Sequence, residues 1–126
     1  VAADPTAVTE RGRSAGRALG DDPVSALQTL FEQATADIAA HGDDAPCATL
    51  AGVMRLADFL PSRIFELVVH TDDLRRALDL PGEATVGARV VALAFGAGLA
   101  GESERYAAAL RGLTGRAPLP AGYSVV

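Results

Sequence analysis

The stretch that most constrains the fold is residues 58–80, DFLPSRIFELVVHTDDLRRALDL, whose pattern predicts one long helix. Asp58 suits the N-cap, Pro61 suits the third helical position, where no N–H donor is needed, and Pro81-Gly82 stops the helix. Apolar residues lie on nearly every side of this segment, which is typical of a buried helix. We therefore expect it to be the central helix of the fold.

Two residues of this helix carry the strongest chemical signal in the chain. Glu66 and His70 lie four positions apart, so their side chains share one helix face. A carboxylate oxygen and an imidazole nitrogen at this spacing can converge on one divalent ion, with further ligands from facing helices. A buried carboxylate and imidazole need partners, because burying polar groups without partners is unfavourable. The pair predicts either two metal ligands or a buried ion pair.

Two neighbours of the pair have several possible roles. Asp73 can act as a further ligand, as an acceptor that orients His70, or as the partner of Arg76. Arg63, one turn before Glu66, can pair with that carboxylate or bind an anionic substrate. The sequence leaves these alternatives open.

Composition indicates a single helical domain spanning residues 1–126. Hydrophobic residues make up 49% of the chain and charged residues 21%, a normal globular balance. The net charge is −5 and the acids are scattered, so the basic surface typical of nucleic-acid binding is missing. The sequence holds no apolar run of about 20 residues that would span a membrane. The single cysteine, Cys47, excludes an internal disulfide and fits a reducing cytoplasm.

Four further segments show helical signals of their own, so the predicted fold class is all-α. Residues 43–57 contain Pro, Gly and short-range alternation, which predicts an extended or irregular connection with a strand-like piece near residues 49–54. The tail APLPAGYSVV has two prolines and predicts an extended segment. The four further helices are predicted at residues 5–19, 23–41, 84–100 and 102–113.

The remaining candidate residues indicate structure more than chemistry. His41 closes the second predicted helix, where a cation suits the helix dipole, and a metal-ligand role is the less favoured alternative. Cys47 fits a small buried filler better than a reactive thiol. Gly96-x-Gly98-x-x-Gly101 matches a dinucleotide-binding fingerprint in letters only, because no βαβ pattern surrounds it.

The run from Met54 to Leu74, MRLADFLPSRIFELVVHTDDL, resembles the last bundle helix of mycothiol-dependent maleylpyruvate isomerases and their DinB-like relatives. The ending LTGRAPLPAGYSVV resembles the close of actinobacterial members of that family. The resemblance covers residues 23–126 and implies a partial DinB-like four-helix bundle with additional C-terminal helices and an extended tail. It also implies a divalent metal, typically zinc, held by Glu66, His70 and a third ligand, a histidine from an earlier helix.

That third histidine is not found in this chain, since no histidine precedes His41. We expect that the missing helices lie upstream, that another chain supplies them, as in a homodimer, or that this member has lost the site. A catalytic zinc site normally has three protein ligands and one open position.

If the site is complete, the resemblance implies an isomerase or S-transferase that uses mycothiol as a thiol cosubstrate. The thiolate would add to an electrophilic small molecule such as a conjugated alkene; an isomerase later eliminates the thiol, whereas a transferase leaves it attached. The alternative is a non-catalytic helical module for binding or assembly, with Glu66 and His70 as a buried ion pair. The sequence does not identify the substrate.

Overall fold

A computed structural model of the chain describes residues 4–49 and 52–126, and within them five helices and one β-hairpin. The described part is mostly helical, as the all-α prediction requires, although that prediction did not include a paired hairpin. The chain divides into two compact units, Val1–Gly42 and Asp43–Val126, and the expectation of a single domain stays a prediction. The elements are α1 (Pro5–Ala18), α2 (Pro23–Ala40), β1 (Pro46–Thr49), β2 (Gly52–Arg55), α3 (Leu56–Ala77), α4 (Val86–Gly101) and α5 (Tyr106–Leu113).

Aspartate–proline pairs begin both helices of the first unit, as the sequence predicts. The Asp4 carboxylate accepts a hydrogen bond from the Thr6 N–H at 3.0 Å, and a proline occupies the first turn of each helix. Asp22 accepts from the Ser25 N–H at 3.1 Å and from the Ser25 hydroxyl at 2.7 Å. The apolar stripe predicted on α2 is present, but its side chains are exposed: Val24, Leu27, Leu30, Phe31 and Ile38.

The cap of α2 makes its stability depend on pH. The bonds from the Ser25 hydroxyl and N–H lower the pKa of Asp22 below its ordinary 3.8. A depressed carboxyl pKa stabilises the folded state above the unfolded pKa, and this stabilisation is lost as the pH falls through the folded pKa. We expect Asp22→Asn, which keeps an acceptor without the charge, to lose less helix than the parent between about pH 5 and pH 2 by circular dichroism.

Asp21→Asn is the matched control, because Asp21 precedes the capping residue, and its acid transition is expected to follow the parent's. Identical acid transitions in the parent and in Asp22→Asn would contradict the capping role.

The second unit is built on α3, which begins earlier than predicted. The prediction that Asp58 caps this helix is wrong, because the helix starts at Leu56 and no side chain caps it. The backbone N–H groups of Leu56 and Ala57 donate instead to the carbonyls of Ala45 and Asp43, at 2.8 and 3.0 Å. The chain entering the hairpin therefore supplies the acceptors that a cap would supply.

Asp58 has a different role, as the third residue of α3. Its two carboxylate oxygens each accept a bond from the Arg55 guanidinium at 2.8 Å, and Asp44 accepts another at 3.2 Å. The bond from Arg55 holds the pKa of Asp58 below its ordinary value. Pro61 is consequently the sixth helical residue and not the third, so α3 lacks the hydrogen bond that residue 61 would donate.

The end of α3 comes three residues before the predicted position. Asp79 adopts a left-handed conformation with φ of 52°, and the N–H of Leu80 donates to the carbonyl of Arg75 at 2.9 Å. This arrangement is a Schellman motif, which satisfies the last carbonyls of the helix. The helix therefore ends at Ala77, before Pro81-Gly82 is reached.

The strand-like piece predicted near residues 49–54 is part of an antiparallel hairpin. Cys47 pairs with Met54 and Ala48 with Val53, while residues 50 and 51 lie outside the described residues. The hairpin leads directly into α3, so it lies beside the first turns of that helix.

Packing of α3 on α4 gives the second unit its small core. The rings of Phe65 and Phe95 lie 5.4 Å apart at a tilt of 46°. Ala92 and Ala100 of α4 are enclosed, with 6% and 2% of their surface exposed. These small residues allow the neighbouring elements to approach α4 closely, and the described residues hold no larger fully buried side chain.

The C-terminal segment continues the fold without a helix beyond α5. The predicted helix over residues 102–113 begins only at Tyr106, because Ser103 forms a turn, donating to the Ala100 carbonyl and accepting from the Arg105 N–H. In the extended tail, the Tyr123 hydroxyl donates to the Arg105 carbonyl at 3.3 Å. Gly112 lies so close to Leu119 that any larger residue there would collide with it. Among the described residues, no helix has both the length and the apolar character needed to cross a bilayer.

Candidate metal centre

Helix α3 brings the two residues of the E-x-x-x-H pattern together. Nε2 of His70 lies 3.1 Å from Oε2 of Glu66, across one turn of the helix. Both residues lie well inside the helix, so regular backbone geometry fixes their relation. The pairing predicted from their spacing is therefore present.

The separation of these two atoms fits a shared ion. Donors bound to one tetrahedral zinc at about 2.0–2.2 Å lie about 3.3 Å apart. The observed 3.1 Å is close to that value and also suits a hydrogen bond. The pair can therefore share a proton, or it can share a cation with little rearrangement.

Asp73 extends the pair along the same face. Its Oδ2 atom lies 3.8 Å from Nδ1 of His70, on the side of the ring away from Glu66. This distance exceeds a hydrogen bond, so the predicted role of Asp73 as the acceptor that orients the ring is not formed in this conformation. The neighbouring Asp72 lies 3.8 Å from Arg75, so the two acids have different partners.

The surroundings of the pair differ from those predicted. The expectation that α3 is buried is wrong for this face, since the side chain of His70 is 69% exposed and that of Glu66 is 47% exposed. Leu67 and Leu74, on the adjoining side of the helix, are also largely exposed. Within the second unit, α3 packs against α4 and the hairpin, and this packing leaves the side chains of Glu66 and His70 accessible. An exposed pair does not have the desolvation cost of a buried one, so only the geometry of the pair favours a metal-ligand role.

Arg63 does not pair with Glu66, which was the first role considered from the sequence, and the binding of an anionic substrate stays a prediction. Its guanidinium lies 5.1 Å from the ring centre of Phe59, and its Nε donates to the Ser62 hydroxyl at 3.2 Å. The Glu66 carboxylate contacts His70 instead. Arg63 thus keeps its positive charge beside an aromatic ring, one turn from the candidate ligands.

A cavity of about 650 Å³ adjoins this arginine. It lies between the hairpin and the first turns of α3, and the ring of Phe95 closes one side. This site was not predictable from the sequence, because the strand pairing that brings residue 49 near residue 63 is not visible in local periodicity. The only signal was the short alternation near residues 49–54. The lining residues are Ala48, Thr49, Met54, Asp58, Phe59, Ser62, Arg63 and Phe95.

A second cavity, of about 750 Å³, is almost wholly apolar. It lies between α4, α5 and the tail, and Phe65, Leu119 and Tyr123 are among the residues that line it. It contains no metal-ligating side chain and is not part of the candidate centre.

The other candidate residues lie outside the candidate metal centre. His41 ends α2, and its Nδ1 lies 2.6 Å from the Asp37 carbonyl, which requires a proton on that nitrogen. Cys47 is half-buried on β1, opposite Met54. The three glycines of the 96–101 pattern lie inside α4, so they form no phosphate-binding loop.

Residues 4–49 and 52–126 contain no cluster of three or more His, Cys, Asp or Glu side chains placed to hold a metal. The centre on α3 therefore consists of two candidate ligands and the adjoining Asp73. No family model matches the sequence, and searches of curated proteins and of solved structures also found no match.

Proposed function

We propose that this chain contributes two ligands, Glu66 and His70, to the divalent-metal site of a thiol-dependent isomerase or S-transferase. The observation that carries the proposal is the 3.1 Å approach of the His70 Nε2 to the Glu66 carboxylate on an open helix face. Zinc is the preferred ion, since it accepts nitrogen and carboxylate ligands in a small coordination sphere. In this proposal the helices of Asp43–Val126 form part of a DinB-like bundle.

The residues of α3 have distinct tasks in this proposal. Glu66 supplies a carboxylate oxygen and His70 supplies Nε2, while the Asp73 carboxylate adds negative charge 3.8 Å from Nδ1 of the ring. A bound divalent ion supplies a Lewis acid that favours the thiolate form of a thiol at neutral pH. The thiol is mycothiol in our proposal, and a reducing cytoplasm suits both this cosubstrate and the free Cys47.

The cavity beside Arg63 is the space on this chain that we assign to the electrophilic substrate. It begins one helical turn from Glu66 and has an apolar wall formed by Met54, Phe59 and Phe95. The guanidinium of Arg63 stands at its edge, held against Phe59. In this proposal the substrate lies in the cavity with its reacting carbon toward Arg63, at the end of the cavity that is one helical turn from Glu66.

The alternative function is a non-catalytic helical module, and one observation favours it. The apolar stripe on α2, from Val24 to Ile38, is exposed, and such surfaces commonly mark a binding interface. In this alternative, as the notion of a binding surface requires, Glu66 and His70 are exposed in the single chain and an ion pair between them would be buried only under a partner.

A thiol-addition assay separates the two functions. With zinc and mycothiol, the chain is expected to accelerate consumption of a conjugated alkene, followed by its ultraviolet absorbance. Glu66→Ala is expected to reduce the rate about tenfold or more, because it removes one of two ligands from the Lewis acid. Glu104→Ala, which changes an exposed glutamate after α4, is the matched control and should keep the parent rate. A rate that depends on neither zinc nor Glu66 would contradict the enzymatic proposal and favour the module.

A further inference from the structure

Four polar residues of α3 follow one line along the helix. Arg63, Glu66, His70 and Asp73 are separated by three, four and three positions, which is the spacing of one face of a paired helix. We call these four residues the α3 seam. All of them are accessible, with side-chain exposures of 47%, 69% and 66% for Glu66, His70 and Asp73, and Arg63 exposed as well.

Most of the seam lies away from the packed side of its own unit, while Arg63 at its start also lines the cavity beside the hairpin. Helix α4 contacts α3 through Phe65, which lies about 100° around the helix from Glu66. Two leucines flank the seam and have no apolar cover, since Leu67 is 67% exposed and Leu74 is 63% exposed. A line of charges beside exposed leucines is typical of a surface that another helix covers.

The candidate metal centre on the seam is incomplete. Zinc takes four ligands, and Glu66 and His70 provide two. The described residues contain no group that adds a third and fourth from this chain. A partner that covers the seam must therefore also bring ligands to it.

When two copies of the seam are placed antiparallel, the charges of one copy are complementary to those of the other. Consider two antiparallel copies of α3 related by a two-fold axis that crosses the seam at the height of Val68. Seam residues that are equally many positions before and after Val68 then lie face to face. Glu66 and His70 are each two positions from Val68, so each faces the other residue of the second copy. Arg63 and Asp73 are each five positions away, so opposite charges meet.

We infer that a second copy of this chain binds antiparallel along the α3 seam, so that two Glu66–His70 pairs enclose one divalent ion. Arg63 of each copy then faces Asp73 of the other, and the Leu67 and Leu74 side chains cover the flank. This inference rests on the proposed metal-ligand role of Glu66 and His70, and it identifies the source of the missing ligands. Four protein ligands fill a tetrahedral zinc site, so a thiol binds there only when the ion takes a fifth ligand or one carboxylate withdraws.

The size of the seam predicts that association depends on the metal. Each copy contributes four seam residues and two leucines to the contact. This is small compared with the roughly 20–30 residues per side of a standard interface. The ion must therefore supply part of the association free energy. At a zinc concentration 100 times the dissociation constant of the ion, linkage strengthens association about 100-fold.

Mass and metal content test the shared site on the full 126-residue chain. With zinc, light scattering after size exclusion is expected to give twice the 12.9 kDa chain mass, with one ion per two chains. With a chelator, the monomer mass is expected. A zinc-bound monomer would overturn the shared site and leave the ligand role of Glu66 and His70 standing. A chain that binds no zinc would overturn both, and a dimer unaffected by chelator would overturn the shared site.

Charge reversal tests the antiparallel register. Arg63→Asp alone and Asp73→Arg alone each place like charges in two symmetry-related contacts, and each is expected to weaken the zinc-loaded dimer about tenfold or more. The double variant Arg63→Asp/Asp73→Arg restores opposite charges and should recover most of the affinity. Asp72→Arg, one position off the seam, is the control and should leave the dimer unchanged. Single variants that dimerise like the parent, or a double variant no better than the singles, would overturn the register. Circular dichroism verifies that each variant retains its helices.

Discussion

Replacing His70 by alanine is expected to lower the affinity of the chain for zinc about 100-fold or more, measured by calorimetric titration. The reason is that His70 is one of only two candidate ligands that this chain offers, and even the loss of residues that merely orient ligands costs 10–100-fold. The side chain is exposed, so the substitution creates no cavity and the fold should persist.

His41→Ala is the matched control for this prediction, because the chain has two histidines in all. His41 ends α2 and bonds to the Asp37 carbonyl, so its removal should leave zinc affinity unchanged. Equal zinc affinity in the parent and in His70→Ala would contradict the ligand assignment. Loss of affinity in His41→Ala alone would move the site to the other unit.

The second large effect is expected in the core, where Ala92→Asp should lower the free energy of unfolding by at least about 2 kcal/mol. Ala92 is 6% exposed and lines the apolar cavity between α4, α5 and the tail, so an aspartate there would place a carboxylate against apolar walls without a partner. For a unit of this size, such a loss lowers Tm by roughly 10 °C or more. Thermal unfolding followed by circular dichroism measures it.

Ala94→Asp separates burial from helix propensity, since residue 94 lies two positions along the same helix and is exposed. Its cost is expected to be about 0.5 kcal/mol, the propensity difference between alanine and aspartate. A similar cost at both positions would show that Ala92 is not enclosed as described.

Local sequence signals predicted the first two helices well. Asp4-Pro5 and Asp22-Pro23 combine a side-chain acceptor with a residue that needs no donor, so each pair fixes a helix start without help from distant residues. The end of α2 at His41 was equally local. The relation of Glu66 to His70 followed from helix geometry alone.

Features that depend on distant residues were not predictable in this way. Helix α3 starts at Leu56 because Ala45 and Asp43 accept its first hydrogen bonds, and this depends on strand pairing between residues 46–49 and 52–55. Asp58 is a residue type that commonly caps helices, but its carboxylate accepts hydrogen bonds from Arg55 instead. The same pairing forms the cavity beside Arg63.

Burial was the other property that the sequence did not determine. Leucines and valines around α3 favour a helix covered on all sides, yet cover requires partners, and the packing of α3 against α4 and the hairpin does not cover all of these residues. Leu67 and Leu74 therefore remain exposed beside Glu66 and His70. The hydrophobic pattern predicts which helix faces are apolar, but it does not identify the element that packs against them.

The most direct test of the central claim, that Glu66 and His70 together hold one cation, is the nitrogen NMR spectrum of the two histidine rings during a zinc titration. The account predicts that the Nε2 signal of His70 shifts on zinc binding, that the His41 signals do not, and that Glu66→Ala weakens the response. An unchanged His70 ring at saturating zinc, or a response in Glu66→Ala equal to that of the parent, would contradict it.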